Sequence, residues 1–467
     1  MFKLFRQYHP TKVVFLFCTE TLLIAGSLLA SIYIRLYSDP FQIDSILQNP
    51  LFPYHALLAV SMGALCMYYN DLYDLTAVCR RSELLIRLIQ SAGGWSILLA
   101  ILSVVFAGLL IGRGILILMV VLSTAGIWVW REISGSLGFL FKARERILIL
   151  GTGQVGVDLC RKLLARTDLN FEIVGFLDED SRRIGERLVN PGIIGVISDL
   201  GSIVSAQRVN RVIVSLPDRR GRMPVRELLA LRLKGVIIED AHTLYESVAG
   251  RISLDMLNPS WLIFSSGFHK FRWQLFVKRC FDLVFGCILL LISLPFMAII
   301  AICIKLDSKG PVLFKQERAG QFGRVFTLMK FRSMKNGAEG NGVPRWAVQN
   351  DSRVTKLGRI LRDFRLDELP QIFNILRGDM SFVGPRPERH YFVERLEKKI
   401  PYYRERLLVK PGLTGWAQIR FPYASTEEET REKLEYDFFY IKNFSLFFDL
   451  AIVFETAKIV LLGRGAR

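Results

Sequence analysis

The chain has 467 residues, 51% of them hydrophobic, with a mean hydropathy of +0.32 and a formal net charge of +18. This is too apolar for an ordinary soluble protein of its size, and the length allows two or three domains that each bury a core. The basic charge borders apolar runs, which fits an anionic membrane face or phosphorylated substrates and speaks against nucleic acid.

Four apolar runs come first: Val13–Ile34, Leu51–Tyr69, Gly93–Ile111 and Gly114–Trp130. Each is near the ~20 residues that cross a bilayer, so residues 1–132 are expected to form a four-helix transmembrane domain. The first run is too long for a cleavable signal, lacks a small-residue cleavage site and is followed by three more. Lys3, Arg6 and Lys12, then Arg80, Arg81 and Arg87, then Arg131, Lys142, Arg144 and Arg146 mark one side. The other two connections hold only Arg35 and Arg113. Both ends of the domain are therefore expected on the cytoplasmic side of the membrane. Glu20 lies within the first run, where a charge is costly. It reads as a protonated or hydrogen-bonded interhelix contact, with lipid handling as the alternative.

Residues 133–270 read as α/β, a doubly wound, Rossmann-like parallel sheet. The apolar strand Arg146–Leu150 runs into Gly151, Gly153 and Gly156 at GxGxxG spacing, and a second strand, Phe171–Leu177, ends at Asp178. That is the pattern of a nucleotide fold, with Asp178 placed for a ribose. The same glycines also serve a tight turn and close helix packing, so NAD or another nucleotide stands beside a purely structural or regulatory role. Asp178-Glu179-Asp180 further matches the DxD of metal-dependent glycosyltransferases, on three residues only. Strands at Gly195–Ile197, Arg211–Ser215 and Gly235–Ile238, with a helix over Val225–Leu233, complete the alternation.

Residues 271–467 form the third unit. An apolar run from Cys280 to Ile304 is long enough to span, but a fifth crossing would place everything beyond it outside. Ser293 and Pro295 sit mid-run, where proline removes a backbone donor and a serine hydroxyl partly satisfies the freed groups. A kinked re-entrant helix over 278–305 is therefore expected, dipping into one leaflet and returning. Lys330 and Arg332 then alternate with apolar residues and should share one strand face, either as a solvated basic edge or as a phosphate-binding pair. Leu369, Ile372, Phe373 and Leu376 recur at helical spacing, which predicts a helix over Glu368–Leu376 with Asp367 as its N-cap and Pro370 in the first turn. Its dipole and the nearby Arg362 and Arg365 would keep Asp367 ionised, ready to hold a metal or attack phosphorus. Arg386, between Pro385 and Pro387, is a preset fork for bidentate phosphate contacts. Thr426 and Glu429 predict a capping box, and Ser445–Leu462 is a final apolar run. The seven cysteines contain no CxxC pair and read as reduced structural thiols, and the five histidines are scattered, which leaves no histidine-based metal site.

The segments KRCFDLVFGCILLLISLPF, GPVLFKQERAG, MKFRSM, RVTKLGRILRDFRLDELPQIFNILRGDMSFVGPRP and VKPGLTGWAQ occur in the order found in the bacterial sugar transferases. These are the polyprenyl-phosphate hexose-1-phosphate transferases, or monotopic phosphoglycosyl transferases. The likeness covers Lys278–Arg467, and the two units ahead of it resemble the large, exopolysaccharide-initiating subclass. The resemblance implies a transferase that moves a sugar 1-phosphate from a UDP-sugar to polyprenyl (undecaprenyl) phosphate and releases UMP. It implies a covalent phosphosugar on Asp367 and a Mg²⁺-dependent site supported by Glu368. Lys330, Arg362 and Arg386 take the phosphate-binding positions, and Asp449 matches a family aspartate, a second acid. Where many members continue GWAQ with Asn-Gly-Arg, this chain reads Ile419-Arg420-Phe421-Pro422-Tyr423, so Arg420 is the substitute candidate. Downstream glycosyltransferases and a homodimer are the further partners expected. A DxD glycosyltransferase on the middle fold and a nucleotide-sensing assembly scaffold are the competing functions.

Overall fold

The computed structural model describes residues 2–4, 7–9, 11–73, 81–105, 112–136, 144–166, 171–216, 223–254, 257, 267–268, 270–335, 353–421 and 426–461. They form two bodies, residues 1–241 and 242–467. Arg6, Arg80, Lys142, His269, Pro422, Tyr423 and the end of the third apolar run, 106–111, lie outside the described residues.

The first body opens with a short antiparallel pair, β1 (Phe2–Leu4) and β2 (Gln7–His9), that no sequence pattern announces. Helices α1 (Thr11–Arg35), α4 (Arg81–Val105) and α5 (Arg113–Ser136) are each long and apolar enough to cross a membrane. Between them, α2 (Pro40–Leu47) and α3 (Phe52–Tyr69) meet at an 85° bend and make one further candidate only as a pair. The third predicted run therefore starts too late. Arg87 is no loop residue: it lies within α4 and donates to Asn70 O at 2.9 Å and to the Asp71 carboxylate at 3.4 Å.

Ile24, Leu28, Leu88, Trp95, Met119 and Ile127 build a common core among these helices. Gly63 makes it possible, because a Cβ there would lie 2.8 Å from the Trp95 ring. The Trp95 indole donates to Ala59 O at 3.1 Å.

Glu20, completely buried, forms an ion pair with Arg131 at 2.7 and 3.1 Å, and Arg131 also donates to Leu72 O. It is thus an interhelix contact between α1 and α5, made as an ion pair. Removing one partner of such a pair strands the other charge. Arg131→Leu is expected to destabilise the bundle by roughly 3–5 kcal/mol, and Glu20→Leu with Arg131→Leu by much less. Thermal unfolding in detergent checks this, and equal losses in the single and double variants would exclude coupling.

The rest of the first body is a parallel sheet of β3 (Glu145–Leu150), β4 (Phe171–Asp178), β5 (Ile193–Val196), β6 (Arg211–Val214) and β7 (Ile237–Asp240). The order β5-β4-β3-β6-β7 reverses between β3 and β6, the doubly wound pattern. Helices α6 (Gln154–Ala165), α7 (Leu200–Ala206) and α8 (Val225–Leu233) alternate with the strands. Ile147 to Leu150, Val212 and Ile213 are fully buried, as central parallel strands require.

Helix α9 (Ala241–Ala249) belongs to the second body from His242 onward, and its Glu246 accepts from Lys442 at 2.6 Å and Asn443 at 3.1 Å. The long helix Arg272–Asp307 follows. It is assigned as one continuous 36-residue helix across Pro295, the position expected to kink it, and the Ser293 hydroxyl turns back to Leu290 O at 3.4 Å. A missing N–H costs one bond, which packing of one helix face offsets along much of its length.

On that face Arg279 donates to Ile375 O and Leu376 O, both at 2.7 Å, and Asp282 accepts from Ser381 Oγ at 2.9 Å and Phe382 N at 3.1 Å. Farther along, Met297 and Ile304 share a core with Phe331 and Leu361. Val284, Leu291, Phe296, Ile299, Ile302 and Leu306 form the exposed apolar face.

Candidate active site

Strands β8 (Leu313–Ala319) and β9 (Val325–Phe331) form an antiparallel hairpin that ends at Lys330 and Phe331. Helix Gln371–Arg377 is laced to it by Asn374, fully buried, whose amide accepts from Met329 N at 3.0 Å and donates to Thr327 O at 2.7 Å. The side chain acts as a piece of backbone and sets the distance between β9 and the acidic pair.

Asp367 and Glu368 are not the start of that helix. They lie in a 3₁₀ turn, Leu366–Glu368, entered through Arg365 in the left-handed region (φ 54°), and the helix proper begins at Gln371. Asp367 is therefore no N-cap, and the expected dipole support is replaced by neighbouring side-chain charges. Glu368 Oε1 accepts from Lys330 Nζ at 2.8 Å and from Arg386 at 2.9 Å. The side chain of Asp367, a residue 8% exposed, makes no hydrogen bond or ion pair among the described residues.

The two acids consequently behave in opposite ways. Burial opposes the Glu368 charge, but Lys330 and Arg386 outweigh it and hold the carboxyl well below its usual range. Burial pushes the Asp367 carboxyl above the ordinary aspartate range, with Lys330 pulling the other way and the Glu368 charge adding to the rise. Glu368 is the fixed anion, and Asp367 the available one.

Arg386 is placed by the backbone. Strand β10 (Ser381–Val383) pairs in parallel with β11 (Gly412–Thr414), and Gly384 N donates to Thr414 O while Gly412 N donates to Pro385 O, both at 2.9 Å. A Cβ on Gly412 would lie 2.1 Å from Gly384 N, so this approach needs glycine. Buried Arg406 donates to Arg386 O at 3.1 Å and pairs with buried Asp437 at 2.9 Å. Arg386 thus faces Glu368, whose charge raises its pKa above the usual arginine value against the opposing effect of burial.

Other expected residues fall elsewhere. Arg362, in helix Lys356–Asp363, donates to Ser333 Oγ at 2.9 Å, and its charge acts on Asp367. Arg332 does not share a face with Lys330: β9 ends at Phe331, and Arg332 turns to Ser308 O at 2.6 Å and Ile304 O at 3.3 Å, closing the end of the long helix. Asp449 is no free second acid, because Lys278 at 2.6 Å and Tyr440 at 2.8 Å take its two oxygens and tie the long helix to helix Leu446–Leu461. Arg420 lies 4.4 Å over the Trp416 ring. The capping box forms as expected, with Thr426 and Glu429 exchanging bonds at 3.0 and 3.1 Å at the start of helix Glu427–Asn443.

In the first body Gly151 (φ 98°) and Gly156 serve close packing, since a Cβ on them would lie 2.7 Å from Ser215 O and 2.6 Å from Ser215 Oγ. Gly153 caps α6. Asp178 accepts from Thr152 and Arg183, both at 2.6 Å, and from Asp180 N at 3.1 Å. Burial opposes its charge, yet these bonds and the Arg183 cation hold the carboxyl below its usual range. Asp180 accepts from Arg182 N at 2.9 Å. The DxD acids are thus committed to the chain's own donors.

Among the described residues no three His, Cys, Asp or Glu side chains gather as a metal cluster. The donor set at the site is two carboxylates, Asp367 and the free oxygen of Glu368. That set fits Mg²⁺, which commonly takes one or two carboxylates and completes its shell with phosphate oxygens and water.

Residues 273–463 match the bacterial sugar transferase family, and residues 69–235 match a CoA-binding domain family. The UDP-N-acetylgalactosamine-undecaprenyl-phosphate N-acetylgalactosaminephosphotransferase of Aeromonas hydrophila is 44% identical over 224 residues, 48% of this chain and 52% of the relative. The undecaprenyl-phosphate glucose phosphotransferase of Komagataeibacter xylinus is 32% identical over 337 residues, 69% of this chain and 60% of the relative. The chain thus spans between half and two thirds of these two proteins. The UDP-glucose:undecaprenyl-phosphate glucose-1-phosphate transferase of Klebsiella pneumoniae is 31% identical over 341 residues, covering 71% of this chain and 72% of the relative. With likeness of that extent added to the catalytic motifs, the chain belongs to the bacterial sugar transferase family.

Proposed function

We propose that this protein transfers a sugar 1-phosphate from a UDP-sugar to polyprenyl phosphate at the cytoplasmic face of the bacterial inner membrane. The observation that carries the reading is the asymmetry of the acid pair. Glu368 is locked between two cations, while its neighbour Asp367 is unpaired among the described residues and retains its acceptor oxygens.

In this reading an Asp367 Oδ attacks the phosphorus that bears the sugar, and the bond from that phosphorus to the UMP oxygen breaks. UMP leaves with the electron pair. A phosphate oxygen of polyprenyl phosphate then attacks the same phosphorus, the bond to Asp367 breaks, and the carboxylate is restored with polyprenyl-diphosphate sugar as product. Lys330 and Arg386 offset charge that develops on the phosphoryl oxygens. Asp367 and Glu368 would hold Mg²⁺, whose charge, when bound, screens the diphosphate.

The acceptor is a lipid, so the site must lie at headgroup level. Packing of the long helix against the second body, from Lys278 through Ile304, supports a re-entrant placement over a spanning one. A spanning helix leaves its globular body for the ~30 Å of the hydrocarbon core, whereas this one contacts the same body near both ends. Homodimerisation and hand-over to downstream glycosyltransferases belong to the same proposal.

The test is UMP release from UDP-glucose, UDP-galactose, UDP-N-acetylglucosamine and UDP-N-acetylgalactosamine, with Mg²⁺ and undecaprenyl phosphate. Folded protein is expected to release UMP from at least one, with the labelled sugar phosphate moving to lipid. Silence across all four would overturn the reading. A cysteine placed beyond the long helix is expected to resist periplasmic thiol labelling in intact cells.

A further inference from the structure

Gln418 lies beside Arg386, at the guanidinium nitrogen that does not touch Glu368. Its Oε1 accepts from Arg386 Nη1 at 3.0 Å. Arginine has donors only, so the amide must present its oxygen to Arg386 and turn its NH₂ away. That Nε2 is buried and has no hydrogen-bond partner among the described residues, on a side chain whose residue is 6% exposed. Buried donors are seldom left unpaired, and each one calls for an explanation. On one side Nε2 faces bare Gly415, where a Cβ would sit 3.6 Å away.

The placement is deliberate rather than loose. Gln418 belongs to helix Trp416–Arg420, and the Trp416 indole donates to Gly250 O at 2.8 Å while its ring stacks on Phe439. The segment around Gly250 is fastened in turn, by Ile252 N to Glu435 O at 3.1 Å and by Arg251 to Glu435 at 3.3 Å and to Glu432. This strap lies outside residues 273–463, the stretch that matches the family. The Gly250–Trp416 bond and the Gln418–Arg386–Glu368 bonds are joined through the helix Trp416–Arg420.

We propose that Gln418 contacts the nucleotide-sugar donor, using Oε1 to aim Arg386 and Nε2 to donate to a substrate oxygen next to the Arg386-bound phosphate. The strap fixes its helix for that task. The inference rests on the transferase reading above and names a donor-binding residue within it.

Two variants of the full chain separate the two ends of the amide. Gln418→Glu keeps an acceptor for Arg386 and deletes the donor, whereas Gln418→Met deletes both. UMP release measured against UDP-sugar concentration is expected to show a KM raised about tenfold for Gln418→Glu with kcat changed far less, as for loss of a bond to a charged group. Gln418→Met is expected to lose kcat as well, because Arg386 is then unaimed.

The increase in unfolding temperature produced by UMP is a second readout, independent of turnover, and is expected to shrink in Gln418→Glu. Wild-type KM and wild-type UMP response in Gln418→Glu would overturn the proposal, leaving Gln418 as a brace of Arg386. If Gln418→Met does not fold, Gln418→Asn, one methylene short of Arg386, is expected to raise KM, and an unchanged KM there would also overturn it. A wild-type protein that releases UMP keeps failure of this inference distinct from failure of the functional reading, and one that does not overturns both.

Discussion

Asp367→Asn is expected to lower UMP release by about 10⁴-fold or more, as removal of a covalent nucleophile does, and at the same time to raise the unfolding temperature. The second half follows from the sign of its titration. Burial and the adjacent Glu368 charge raise the folded-state pKa of Asp367 above its ordinary value. A group of that kind contributes stability that is fully present below the unfolded pKa and is lost as pH rises through the folded pKa. At neutral pH the ionised Asp367 therefore works against folding, and an isosteric neutral amide removes the penalty. An acid kept for structure would show the reverse. Thermal unfolding without divalent metal, set beside single-turnover UMP release, reads both effects. A fall in unfolding temperature, or turnover near wild type, would remove Asp367 from the role of nucleophile.

Much of the fold is legible because simple periodicities control it. The helix Val225–Leu233 has the bounds its pattern predicts, and the GxGxxG turn follows β3 as expected because only glycine tolerates φ 98° and a contact of 2.7 Å at Gly151. The sheet strands need no more than short β-branched runs. The failures share a cause, in that tertiary contacts override a local pattern. Ile372, Phe373 and Leu376 do fall in a helix, yet Arg365 adopts a left-handed conformation that no arginine advertises, so the acids enter a 3₁₀ turn ahead of it. Lys330 and Arg332 alternate in sequence, but the strand stops between them.

Arg87 reads as an exposed loop cation until its partners, Asn70 O and Asp71, are known. Pro295 removes one backbone donor, yet the helix is continuous across it, with one face packed on Phe331 and Leu361.

At the site the charged residues were readable and the neutral ones were not. Lys330, Asp367, Glu368 and Arg386 announce themselves by type and spacing, and the structure brings them together. Asn374 and Gln418 carry no such signal, although one sets the spacing between Lys330 and Glu368 and the other holds Arg386. An amide inside an apolar helix face, as in Ile372-Phe373-Asn374-Ile375, was the available hint, since a buried amide must find partners.

Glu368→Gln is expected to move stability in the direction opposite to Asp367→Asn. It leaves Lys330 and Arg386 facing each other without their shared anion. Loss of a buried partner costs roughly 3–5 kcal/mol, and the lower end applies here because the Arg386 side chain is 36% exposed and partly screened. The wild-type Glu368 pKa lies below its ordinary value, so its stabilisation is present above pH ~4.5 and is lost as pH falls through the folded pKa. The variant should show less of this acid sensitivity.

Activity is expected to drop by about 10²–10³-fold, the scale of losing one preorganised electrostatic group. What remains should titrate differently. Glu368 is one of the charges that raises the Asp367 pKa, and Lys330, freed from Glu368, opposes that rise more strongly. The acid limb of UMP release in Glu368→Gln is therefore expected at lower pH than in the wild type, even as the rate falls. Because the two carboxyls titrate as a coupled pair, the comparison between the two profiles is the informative quantity. An acid limb that stays in place or moves upward would mean that Glu368 does not set the ionisation of Asp367.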